Sequence, residues 1–191
     1  MAFSSLAEID SYMKENTCEF WEAVIREEAR DSQQPKMDIV NRMTQMYRAM
    51  KEADEAYDDT LTSHSGLSGK NGKKMADYAA THKCMCGEFG GAVMARAIKM
   101  AESNACMKRI VAAPTAGSCG VVPAILITYE RMTNTSENDM VKALFVAAGI
   151  GDVIARRASI SGARGGCQAE IGASSAMAAG ALAWLKSGSS H

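Results

Sequence analysis

Little in this sequence breaks helices or favours strands. Of its 191 residues only 3 are proline, 4 phenylalanine and 2 tryptophan, and aromatics make up 6%. A sheet sandwich needs more β-branched and aromatic residues and more turn punctuation, so an all-β fold is excluded. Charge of one sign is also missing, since 21 basic residues against 22 acidic ones leave a net charge of −1. That balance carries neither the basic footprint of a nucleic-acid binder nor an acidic tail. The longest weakly apolar run, Ile171 to Leu185, is interrupted by Gly172, Ser174, Ser175 and Gly180 and makes a poor membrane span. No basic stretch followed by an apolar core opens the chain, so no signal peptide is expected. A cytoplasmic, reducing setting is the default expectation. Six cysteines are too few for a disulfide scaffold and are expected as free thiols, open to metal or redox chemistry.

What is present favours helix. Alanine recurs throughout and methionine occurs 14 times, and both lose little rotamer freedom in a helix. The length suits one domain with a sizeable core, taken as residues 1–191 with N-terminal helices over 4–57 and a motif-bearing part over 63–186. The expected fold class is all-α and multi-helical. Residues 4–57 read as two or three amphipathic helices, with Ser32-Gln-Gln-Pro35 as punctuation. Ile39, Met43, Met46 and Met50 repeat on one helical face and read as core filling rather than a metal site. Arg26, Glu27, Glu28 and Arg30 read as a solvated face.

A glycine-punctuated loop follows, Ser63-His-Ser-Gly-Leu-Ser-Gly-Lys-Asn-Gly-Lys-Lys74. Its backbone N–H groups, with Lys70, Lys73 and Lys74, can cradle an anion, although glycine also collects in ordinary surface loops. The spacing is not that of a nucleotide-binding P-loop. Residues 75–108 read as helical, with Met94, Ala97, Ile98 and Ala101 marking an inner face. The His82-Lys-Cys84-Met-Cys86 stretch lacks the usual two-residue spacing of zinc ligands and reads as buried or incidental thiols.

The run Ile110 to Ile125 is apolar and broken by a small-residue turn, Thr115-Ala116-Gly117-Ser118. A helix can start after Gly120, with Pro123 tolerated in its first turn. Hydroxyls beside a helix N-terminus can grip a carboxylate, and a tight packed turn explains the pattern equally well. From Ala143 to Trp184 the chain is dense in Ala, Gly and Ser and reads as a buried tract, either core or subunit interface. Inside it Cys167 follows Gly165-Gly166 just before a helix, where the N-terminus favours a thiolate. No His lies near it in sequence to act as a base, which points to a metal ligand rather than a nucleophile.

Three stretches together resemble the α subunit of iron–sulfur-dependent L-serine dehydratase. They are Ser65-Gly-Leu-Ser-Gly-Lys-Asn-Gly-Lys-Lys74, Ala113-Pro-Thr-Ala-Gly-Ser-Cys-Gly-Val-Val-Pro-Ala124 and Ser159-Ile-Ser-Gly-Ala-Arg-Gly-Gly-Cys-Gln-Ala-Glu-Ile-Gly172, in the family's order. The resemblance implies an all-helical unit that converts L-serine to pyruvate and ammonia with a [4Fe–4S] cluster as Lewis acid. By the same resemblance Cys167 is one cluster ligand, and two further cysteines belong to a Cys-Asp-Pro segment and a following Pro-Cys. The chain reaches His191 before either, so a C-terminally truncated domain is expected, with the remaining ligands supplied from elsewhere. Ser65, Gly66, Thr115, Ala116, Gly117 and Ser118 are the expected substrate-binding residues, assisted by Lys70 or Lys73.

No base is assigned. His64 is a candidate, and a solvent-facing loop histidine is the alternative. Expected partners are L-serine, a β subunit and further copies of the chain, with no nucleic acid and no membrane. The competing expectation is a cluster-less fragment that serves as a structural partner of such an enzyme.

Overall fold

Short polar residues set the helix starts. Ser5 accepts a hydrogen bond from the Glu8 amide at 3.2 Å, and Ser136 accepts one from the Asp139 amide at 3.2 Å. Each satisfies one of the amides that a first turn leaves without an intrahelical partner. Glu19 and Glu22 form a reciprocal capping box at a third start. In the computed structural model, which describes residues 3–187, the resulting elements are all helical. They are α1 (Leu6–Asn16), α2 (Phe20–Ser32), α3 (Lys36–Glu55), α4 (Asn71–Ala79), α5 (Gly87–Ala105), a 3₁₀ turn (Ala116–Ser118), α6 (Val121–Thr133), α7 (Glu137–Arg157) and α8 (Gly162–Leu185). No strand occurs among the described residues. None of their helices is long and apolar enough to cross a membrane.

The chain divides into two compact units, residues 1–47 with 136–191, and residues 48–135. In the first unit α7 packs on both α2 and α8, and α1 packs on α2. Ile9, Ala23 and Val153 form one buried cluster there, with Tyr12 and Phe20 against it. Glu19 ties two elements of this unit together by accepting from the indoles of Trp21 at 3.0 Å and Trp184 at 3.1 Å. In the second unit α5 packs on α4 and α6. Asp54 there pairs with Arg96 at 2.9 Å and Arg131 at 3.4 Å, and Arg96 also donates to the Thr128 hydroxyl at 2.9 Å.

Two local readings need correction. Glu27 is not on a solvated face: it is 7% exposed and pairs with Arg30. The inner face of α5 is carried by Gly91, Ala95, Met100, Glu102 and Ser103, while Met94 is 41% exposed. The face is rotated because α5 packs against both α4 and α6, contacts that the apolar spacing within α5 does not report. The small-residue tract from Ala143 to Trp184 is buried along much of α7, while residues 163–168, 171, 172, 175 and 176 of α8 are exposed in the single chain, where the core alternative does not hold and the interface alternative stays open. The methionine stripe is also uneven, with Ile39 and Met50 buried and Met46 39% exposed.

Candidate functional site

The glycine loop is a self-bonded turn. Ser63, at 9% exposure, donates its amide to the Ser68 carbonyl at 2.8 Å. Its hydroxyl accepts from the Ser68 amide at 3.1 Å and lies 3.1 Å from the Ser65 hydroxyl. The Gly66 amide donates to the Ser63 carbonyl at 2.8 Å with Gly66 at φ +74. Gly69 stands at φ +147, and a Cβ there would lie 2.6 Å from the Leu61 carbonyl oxygen, so only glycine closes the turn. Ser65, Gly66 and His64 are all exposed on it. The Lys73 ammonium is exposed and paired with Asp77 one turn on in α4, whose carboxylate raises its pKa.

The anion at the end of this loop is the protein's own. Glu102, 6% exposed on α5, accepts from the Asn71 amide at 2.8 Å, the Gly72 amide at 3.0 Å and the Tyr57 hydroxyl at 2.8 Å. Burial works to raise the Glu102 carboxyl, but the Gly72 amide, the Tyr57 hydroxyl and the Asn71 amide together hold it below the usual carboxylate range. Its partner shifts the other way: burial, then the Glu102 carboxylate, push the Tyr57 hydroxyl up to about 12.

Two residues further along α5, the Asn104 side chain donates to the Ala116 carbonyl at 3.1 Å. The last turn of α5 therefore anchors the glycine loop through Glu102 and the Thr115–Ser118 turn through Asn104. Neither anchor was among the expected residues. A carboxylate on a buried helix face requires donors, but the sequence of α5 does not show that Glu102 lies on that face.

The Thr115–Ser118 turn follows a cis Ala113–Pro114 peptide. Ser118 is 1% exposed and points inward. Its hydroxyl lies 3.0 Å from the Thr115 hydroxyl, accepts from the Thr115 amide at 3.4 Å and can donate to the Ala113 carbonyl at 3.3 Å. Thr115 is half-buried, while Ala116 and Gly117 are exposed. The turn leads through Gly120, the N-cap of α6, with Pro123 third in the helix. Ser118 thus shapes the turn: the half-buried Thr115 hydroxyl is bonded back to it, and Ala116 and Gly117 are the exposed residues between them. Ser118→Ala is expected to destabilise the protein by about 1 kcal/mol, read from urea melts, through loss of the reciprocal cap.

Cys167 is exposed and begins a new helical stretch, because Gly166 at φ 74 and ψ 179 interrupts α8 immediately before it. It lies in the first unit, whereas Ser65, Gly66 and Thr115–Ser118 lie in the second. Among the described residues, no group of three or more His, Cys, Asp or Glu side chains could hold a metal ion. Cys119 is 1% exposed, packed with Ala53 and Met100, and burial pushes its thiol up, which fits a packing role.

Residues 15–191 match the family described as the serine dehydratase alpha chain. The chain belongs to the serine dehydratase alpha chain family. It is 35% identical over 186 residues to a probable L-serine dehydratase α chain of Bacillus subtilis, covering 97% of this chain and 62% of that one. The L-serine dehydratase α chain of Peptoniphilus asaccharolyticus is 33% identical over 183 residues, or 95% of this chain and 62% of the relative. L-serine dehydratase 1 of Escherichia coli is 46% identical over 94 residues, 49% of this chain and 21% of the relative. This family member therefore spans 62% of the length of the two α chains. No solved structure matches.

Proposed function

We propose that the chain is the α-chain portion of an L-serine dehydratase, a lyase that converts L-serine to pyruvate and ammonia. Likeness to L-serine dehydratase α chains along 97% and 95% of its residues carries this reading. L-Serine presents a carboxylate, an ammonium and a β-hydroxyl. In this reading the Thr115 hydroxyl and the amides of Ala116 and Gly117 take the carboxylate, because an anion suits the N–H groups of a first turn. Ser118 holds that turn in shape, and Ser65 and Gly66 add polar groups from the glycine loop. Removal of the α-proton and departure of the β-hydroxyl as water leave an enamine, which tautomerises to an imine and hydrolyses to pyruvate and ammonia.

The family resemblance brings a [4Fe–4S] cluster into the proposal, with Cys167 as one ligand. A four-iron cluster takes thiolates at several corners. The described residues offer one thiol at the motif position and no metal-holding group of three, so they do not fit the cluster by themselves. The other ligands then come from sequence outside these 191 residues or from another chain. A β subunit or a second copy of the chain is the proposed partner.

The test measures product release from L-serine by the protein purified without oxygen, with whatever sequence or subunit completes it, and loaded with iron and sulfide. Pyruvate and ammonia in equal amounts are the expected result. A protein that takes up iron and sulfide but yields no pyruvate would leave the scaffold reading in its place. Within the active protein, Thr115→Ala is expected to raise KM for L-serine about tenfold with a smaller change in kcat, as loss of a hydrogen bond to a charged group does.

A further inference from the structure

The turn between α4 and α5 brings two thiols together, and the serine reaction uses neither. The Cys84 and Cys86 sulfurs lie 3.1 Å apart. Cys86 is exposed, Cys84 is half-buried, and Met85 between them stands 101% exposed. Of the two expectations, buried or incidental thiols, the exposure of Cys86 removes the first for that residue. Missing side chains in the first turns of α5 make room for the sulfurs. A Cβ on Gly90 would come within 2.8 Å of the Cys86 sulfur, and one on Gly91 within 3.3 Å of the Cys84 sulfur. The Tyr78 hydroxyl donates to the Lys83 carbonyl at 3.2 Å and fixes the chain entering the turn. The Cys84 sulfur shares a hydrogen bond with Cys86 and holds the Cys86 thiol above its ordinary range. Two sulfurs without a third ligand are a poor metal site, but they are the complete set for a disulfide.

We propose that Cys84 and Cys86 form a dithiol–disulfide couple that exchanges two electrons with low-molecular-weight disulfides of the glutathione class. One cysteine thiolate attacks a sulfur of the small disulfide, forming a mixed disulfide and expelling one thiolate. The second cysteine, deprotonated, attacks the protein sulfur of that bond, closes Cys84–Cys86 and expels the second thiolate. The protein loses two electrons and two protons, and the small disulfide becomes two thiols. The second step is intramolecular between sulfurs already in contact, so ring closure outruns capture of another small molecule.

Oxidised glutathione added to the intact chain at neutral pH tests the proposal, with acid quenching, alkylation and mass analysis of an unreduced digest. Cleavage after Lys83 and after Arg96 isolates both cysteines in one peptide with no other thiol. The expected product is that peptide two hydrogens lighter, with no more than about a tenth of it carrying glutathione at any time, while the lone exposed thiol of Cys167 keeps its glutathione as a mixed disulfide. Cys84→Ser and Cys86→Ser, each shown by circular dichroism to keep its helix, are expected instead to retain glutathione on the remaining cysteine. Wild-type peptide that keeps one or two glutathiones overturns the proposal. So does peptide that stays fully alkylated while Cys167 is modified.

Discussion

Glu102→Ala is expected to cost about 2–4 kcal/mol of stability, the scale of losing several hydrogen bonds to one charged group. The carboxylate serves the Asn71 amide, the Gly72 amide and the Tyr57 hydroxyl at 2.8 to 3.0 Å, from a residue 6% exposed. Alanine leaves the buried Gly72 amide without its acceptor, while the exposed Asn71 and half-buried Tyr57 lose a charged partner. Glu102→Gln keeps the shape but replaces one acceptor oxygen by a donor, which then faces donors, so an intermediate loss of about 1.5–3 kcal/mol is expected. Urea melts give the totals. Hydrogen exchange gives the location: the Asn71 and Gly72 amides should lose protection in both variants. Unchanged exchange at these two amides would remove Glu102 from the role of anchor.

The same network fixes a pH dependence. Glu102 has a folded pKa below its unfolded value of about 4.3, so its stabilisation is fully present above that pH. It is lost as pH falls through the lower, folded value. The stability gap between wild type and Glu102→Gln should therefore close on acidification below about pH 4. Tyr57 acts at the other end. Its folded pKa of about 12 lies above the ordinary 10.0, so its contribution is present below pH 10 and lost as pH rises toward 12. Tyr57→Phe should flatten that basic limb and leave the acid limb to Glu102.

What could be read from the residues was local. Ser32-Gln-Gln-Pro35 separates α2 from α3, and Gly120 starts a helix that carries Pro123 in its first turn. Both follow from caps and from proline's missing N–H, which act within one turn of chain. The interruption at Gly166 before Cys167 is of the same kind. Tertiary pairings escaped. The Glu102 bonds span 30 to 45 residues, and nothing in the pattern of α5 says that a distant loop supplies its donors. The Glu27 reading failed for a related reason: on periodicity alone, a Glu on a buried face looks the same as one in water. In the site itself, Thr115 and Ser118 were visible as a pair of hydroxyls. Only the fold separates their orientations, Ser118 inward at 1% exposure and Thr115 half-buried.

Two glycine-to-alanine substitutions are expected to move stability in opposite directions, and the contrast isolates packing from backbone propensity. At Gly120 a Cβ would meet the Ala97 carbonyl oxygen at 2.7 Å and the Ala97 Cα at 3.3 Å. Both are backbone atoms of α5, so no side chain can swing away, and relief requires α6 to move off α5. The expected loss is about 2–3 kcal/mol, in the range of core overpacking. At Gly172 the situation reverses. The residue is exposed within α8, and no neighbouring atom lies within 4 Å of the added Cβ. Alanine there removes only the entropy penalty of a helical glycine, for a gain of about 0.5–1 kcal/mol. Thermal melts should show a lowered midpoint for Gly120→Ala and a raised one for Gly172→Ala. Because the Gly120 cap leads α6 out of the Thr115–Ser118 turn, the proposed function adds a second readout: displacement of α6 should weaken L-serine binding in the first variant and leave it unchanged in the second. A Gly120→Ala protein as stable as wild type would mean that the α5–α6 contact yields without loss, and the turn's position would then have to be held by Asn104 and the Thr115–Ser118 hydrogen bonds alone.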